Sequence, residues 1–287
     1  MRISPYNYLV SRRPTINKKN ECSFGTLYDK DWGGINLIGD GIRYSNGPIK
    51  NYTKLIRGVK VFKELPQYLK TTYPNGATIF DYACSAGHEA SSIIISLFNG
   101  LHPKEVEKFL PIKAFDNNPK VVKMAQKYAL KLDNREMCDF KRLDRVDVKD
   151  FLVSPRMSVG KQRTYKMSDK LKDNIQFDFG DLFEDLKEGK LSKEPCVLFF
   201  RNAWQFLTHK GAIELATTLF EKLPSKSTVI IGEKDIEEQR ANKILERIGF
   251  KKMLDTKVIN PVEQNFKDRF VAIMEGESLS TYCFTKP

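Results

Sequence analysis

From residue 51 onward the sequence predicts one α/β domain built on a mostly parallel, doubly wound sheet, and three observations predict it. Short apolar runs rich in strand formers alternate with segments of helical periodicity. One run, Cys196 to Phe200, is continuously apolar, as suits a strand buried on both faces of a parallel sheet. Polar residues collect where the runs end: Asp81, Asp116, Asp181, Arg201 with Asn202, and Glu233. Strand ends that converge on one crevice make a ligand pocket.

Residues 1–50 carry glycines, asparagines and scattered charges and read as an irregular N-terminal arm. Residues 51–287 form the domain. Leu55, Val59, Phe62, Leu65 and Leu69 recur at helical steps from Asn51 until Pro74-Asn75-Gly76 stops them. Thr78-Ile79-Phe80 is the first strand. A turn of small residues from Ala83 to Gly87 follows it, and a helix from Ser91 to about Phe98 comes next. Leu110 to Phe115 is the second strand and Pro119 to Leu132 the helix after it. Residues 133–174 are charged and irregular, with one helical piece near Val146 to Phe151. Ile175 to Phe179 alternates as a third strand, Cys196 to Phe200 is the fourth and Thr228 to Gly232 the fifth. Helices cover 209–223 and 236–248. Terminal strands are expected near Lys251 to Val258 and Arg269 to Met274, the latter paired with Thr281 to Phe284.

Composition narrows the function classes. The five cysteines are widely spaced and form no C-x-x-C pair, and the three histidines have no ligand spacing, which excludes a disulfide framework and a zinc site of familiar pattern. No apolar run is long enough to span a bilayer, and residues 1–14 lack a signal-peptide core, so a cytoplasmic protein is expected. The formal net charge of +12 keeps nucleic acid open as a partner.

Four motifs then appear in order. Asn51-Tyr52-Thr53-Lys54-Leu55-Ile56-Arg57, the turn Ala83 to Ser92 (ACSAGHEASS), Asp181-Leu182 and Phe199-Phe200-Arg201-Asn202 together resemble the S-adenosylmethionine-dependent methyltransferases of the CheR type, which methylate chemotaxis-receptor glutamates. The resemblance implies a Rossmann-like sheet of about seven strands with the last antiparallel, and S-adenosylmethionine as cofactor. It places Asn51, Thr53, Arg57, Ala83, Ser85, Gly87, Glu89, Asp116, Asn117, Asp181, Leu182, Arg201 and Asn202 around that cofactor, with Arg57 and Arg201 nearest the chemistry. Asp116 suits vicinal ribose hydroxyls, since an ionised carboxylate accepts two hydrogen bonds at once. Asp181 and Leu182 would meet the adenine.

The chain also departs from that pattern. His88 stands where the family has an acid and reads as an exposed turn histidine, and Phe206 stands where it has a tyrosine. Residues 1–50 do not read as the family's basic helical domain. Glu233 runs into a helix with no small antiparallel insertion. These departures leave the acceptor open between a protein carboxylate, an RNA and a small molecule, with a non-catalytic nucleoside-binding or interaction module as a further alternative.

Overall fold

The computed structural model describes residues 43, 53–154, 163–253 and 277–287. Helix α1 (Val59–Thr72) precedes strand β1 (Ile79–Tyr82) and helix α2 (His88–Gly100). Then come β2 (Ile112–Asp116), α3 (Pro119–Ala125), β3 (Ala129–Leu132) and α4 (Asn134–Lys141). Strands β4 (Leu152–Val153), β5 (Arg163–Met167) and β6 (Ile175–Phe179) lead to helix α5 (Leu182–Lys187). The second half runs β7 (Val197–Phe199), α6 (His209–Lys222), β8 (Thr228–Ile230), α7 (Glu233–Gln239) and α8 (Ala241–Ile248). Strands β9 (Lys251–Lys252) and β10 (Cys283–Thr285) complete it.

The expected sheet is present. Seven strands pair in the order β6-β2-β1-β7-β8-β10-β9, the first five parallel and β10 antiparallel to both its neighbours. β1 and β7 are buried at every residue, which is why they read as apolar runs without alternation. From central β1 the chain moves outward to β2 and β6, then returns to the other side of β1 as β7 and β8. That reversal puts the topological switch point at the carboxyl ends of β1 and β7, where such sheets bind ligands.

Four stretches differ from the sequence expectation. The first helix begins at Val59 rather than near Asn51, because Ile56 and Gly58 take left-handed backbone (φ 52° and 83°). The amides of Leu55 and Ile56 instead donate to Glu136 Oε1 at 2.9 Å and Ser92 Oγ at 2.8 Å, which docks this turn onto α4 and α2. The helix expected to reach Leu132 stops at Ala125, and after Tyr128 (φ 50°) the chain enters β3.

Within the stretch expected to be irregular, the described residues include β4 and β5, which form a three-stranded antiparallel sheet with β3. Only Tyr165 and Met167 of β5 are buried, so its apolar signal is faint amid Arg163 and Lys166. The helix expected over 236–248 is two helices that meet at Arg240 (φ 52°). The expected strand near 269–274 lies outside the described residues, as does the arm apart from Arg43.

Candidate active site

The turn after β1 is shaped by backbone conformation. Ala83, Ser85 and Gly87 all have positive φ (60°, 51° and 85°), a rare sequence of left-handed residues that small side chains tolerate best. Gly87 is required twice over, since a Cβ there would lie 2.5 Å from the Phe177 ring. The turn carries Ser85 N to Asp116 Oδ2 at 2.9 Å, while Asp116 Oδ1 accepts from Asn118 N at 2.9 Å. Asp116 thus stands fixed at the end of β2 with lone pairs to spare. Burial pushes its carboxyl up to about 6, against the pull of these two amides.

Asp181 caps α5 through the amide of Phe183 at 3.0 Å, and its Oδ2 accepts from Asn117 Nδ2 at 3.1 Å. The ends of β2 and β6 are thereby tied together at the residues the sequence singles out. Leu182, the next residue, is buried.

Across the switch point, Arg201 Nη1 donates to Glu89 Oε1 at 2.6 Å and Nη2 to the Arg57 carbonyl at 2.9 Å. Its guanidinium also lies 5.3 Å from the centre of the Phe62 ring. One side chain therefore links β7, the first turn of α2 and the turn before α1. The structure brings Arg57, Ala83, Ser85, Gly87, Glu89, Asp116, Asn117, Asp181, Arg201 and Asn202 to one edge of the sheet. Thr53 is half-buried on the same approach to α1, and Asn51 lies outside the described residues.

Several buried polar atoms at this edge have no hydrogen-bond partner among the described residues: both oxygens of Asp81, Ser85 Oγ and Arg201 Nε. Buried polar atoms are normally satisfied, so a cluster of orphans marks a place where a polar ligand belongs. Asp81, one residue before the end of β1, is held well above the usual carboxylate range by burial and by the charges of Glu89 and Asp116, with Arg201 opposing. A carboxyl, a guanidinium N–H and a hydroxyl together offer both donors and acceptors, which suits a polar group such as the methionine end of S-adenosylmethionine.

Sequence reasoning missed Asp235. Fully buried, it accepts from Asn202 N at 2.6 Å and Gly232 N at 2.7 Å on Oδ2, and from Trp204 N at 2.9 Å on Oδ1. Asn202 adopts left-handed backbone (φ 57°) and its own Oδ1 accepts from Lys234 N at 3.3 Å. A Cβ on Gly232 would strike Asn202 at 2.6 Å. The loops after β7 and β8 are therefore interlocked, and burial pushes Asp235 up to about 7 despite its amide donors. A signal existed in the glycine followed three residues later by an acid at a helix start.

His88 corrects an expectation. It is buried rather than exposed, its Nε2 lies 3.2 Å from the Lys131 carbonyl, and burial takes its pKa down to about 4. It faces β3, away from the strand ends, and joins α2 to the small sheet.

Among the described residues no helix is long and apolar enough to cross a membrane, and no cluster of side chains could hold a metal ion. No curated protein sequence matches the chain. Among solved structures it is similar to the plantazolicin methyltransferase BpumL in complex with S-adenosylhomocysteine, at 11% identity over 80% of this chain and 83% of that one, with a TM-score of 0.37. It is also similar to a TehB-like methyltransferase from Corynebacterium glutamicum, at 12% identity over 67% and 73%, TM-score 0.33. A third likeness is to CalS10, an amino pentose methyltransferase from Micromonospora echinaspora, at 9% identity over 59% of this chain, TM-score 0.31, and the chain spans only 48% of that protein. The assignment rests instead on the profile of the CheR methyltransferase SAM-binding domain, which matches residues 51–252. The chain belongs to the CheR family of methyltransferases, and its cofactor is S-adenosylmethionine.

Proposed function

We propose that this methyltransferase acts on a carboxylate of a protein, forming a methyl ester. The observation that carries the reading is Arg201 at the switch point, whose Nη2 donates to the Arg57 carbonyl and whose Nε is buried without a partner among the described residues. The open N–H of this guanidinium suits a carboxylate, since guanidinium groups bind carboxylates with good geometry.

In this reading Asp116 holds the ribose hydroxyls, Asp181 and the Leu182 backbone border the adenine, and Asp81, Ser85 and Glu89 surround the methionine end. The cofactor supplies an activated sulfonium methyl group. An acceptor carboxylate is already ionised at neutral pH, so no residue here has to remove a proton. What the chain contributes is alignment of the acceptor oxygen with the methyl carbon, and exclusion of water by Phe62 and the turn before α1. As the new oxygen–carbon bond forms, the carbon–sulfur bond breaks and its electron pair stays on sulfur.

The net charge of +12 is the feature that favours RNA instead, and one experiment separates the two. Labelled cofactor is incubated with the protein and cell extract, and the products are treated with mild base. A protein methyl ester releases volatile labelled methanol. Label that stays in RNA, or in base-stable protein, would overturn the carboxylate reading.

A further inference from the structure

Arg43 lies outside the segment that matches the family profile, yet its side chain and its carbonyl are both bonded to residues inside that segment. Its Nη1 donates to Glu184 Oε1 at 2.9 Å and its Nε to Glu214 Oε1 at 3.0 Å, and its guanidinium stands 5.2 Å from the centre of the Phe183 ring. Its backbone is seated as firmly. The Arg43 carbonyl accepts from Thr208 N at 2.8 Å, and a Cβ on Gly211 would lie 2.2 Å from that oxygen.

Glycine is a poor helix former, and close approach of another backbone is a reason to keep it there. Here the approaching atom is the Arg43 carbonyl. Thr208 is also the N-cap of α6, accepting from Gly211 N at 2.9 Å, so the cap of this helix and the seat of Arg43 are one structure.

The two helices that Arg43 joins pack against each other, and each follows a loop at the strand ends. α5 begins at Asp181, tied to the end of β2 through Asn117, and α6 follows the loop that carries Arg201 and Asn202. We infer that Arg43 is a positioning residue of the cofactor site: by bridging α5 and α6 it sets the spacing between the wall that borders the adenine and the wall that carries Arg201. The inference rests on the placement of the cofactor proposed above.

Calorimetric titration with S-adenosylhomocysteine and, separately, with adenosine tests it on the full chain. Arg43→Ala is expected to weaken both ligands by the same factor, about fivefold, since the pairs are half-exposed and such ion pairs are individually modest. Arg43→Lys recovers part of the loss, because an ammonium can hold one glutamate but not fork to two. Gly211→Ala, which leaves the Arg43 side chain intact but blocks its carbonyl, reproduces the loss. Unchanged affinity in both Arg43→Ala and Gly211→Ala, with melting curves showing folded protein, would overturn the inference. Asp116→Ala serves as the control. If it binds both ligands like the wild type, the placement of the cofactor has failed rather than the role of Arg43.

Discussion

The two sides of the switch point are built on opposite plans. On the β1–β2–β6 side the polar atoms are left wanting: both Asp81 oxygens and Ser85 Oγ are buried without partners among the described residues, and Asp116 meets two amides with lone pairs remaining. On the β7–β8 side the loop amides are met, with Asp235 taking those of Gly232, Asn202 and Trp204 while Asn202 takes that of Lys234, although the buried Trp204 Nε1 has no partner among the described residues. An unsatisfied buried group costs stability unless a ligand completes it, whereas a completed network makes a rigid unit. The comparison assigns ligand chemistry to the first side and scaffolding to the second. Arg201 belongs to both, since it reaches across to Glu89 and keeps one N–H unpaired.

The largest effect is expected on the scaffold. Asp235→Ala strands three amide donors in a buried loop, and at ~1–3 kcal/mol for each unmet donor, partly offset by relief of a buried carboxyl, urea unfolding should show a loss of about 4 kcal/mol. Affinity for S-adenosylhomocysteine at a temperature where the variant is folded should change by less than about threefold. Loss of binding on the scale of an Asp116 substitution would erase the division between the two sides.

A smaller effect tests what lies behind the ligand side. The folded-state pKa of His88, about 4, is below its unfolded value, so folded protein refuses a proton that the unfolded chain accepts. Stability on this account is present above the unfolded pKa and is lost as pH falls from about 6.5 towards 4, by up to about 3 kcal/mol. The raised carboxyls of Asp116 and Asp235 act in the opposite sense, losing stability as pH rises through about 6 and about 7. They are common to wild type and His88→Gln, so the difference between the two stability curves isolates the histidine. Parallel curves would show that His88 titrates as it does in the unfolded chain.

What was legible in the sequence follows from where the information sits. The strands could be read because burial on both faces demands continuous apolar runs such as Val197–Phe199. The candidate residues could be read because strand ends and small-residue turns leave local marks, and Asp116, Asp181 and Arg201 stand where those marks put them. Asp235 was hard to read because two of its three amide partners lie 31 and 33 residues away and have no side-chain signature. The start of α1 was hidden for the same reason: Glu136 and Ser92 decide that Leu55 and Ile56 form a turn rather than a helix. The small sheet was hidden by its lysines and arginines, and Arg43 by contacts 141 and 171 residues distant in sequence.

The central claim is that the orphaned side of the crevice holds the nucleoside cofactor through Asp116. Calorimetric titration of S-adenosylhomocysteine into wild type and Asp116→Ala measures it directly. Two hydrogen bonds to an ionised carboxylate are worth about 3 kcal/mol or more together, so the variant should bind about 100-fold more weakly. Because burial holds Asp116 at about 6, wild-type affinity should be level above that pH and fall as pH drops through it. Equal affinity in the two proteins, with no pH dependence near 6, would contradict the account.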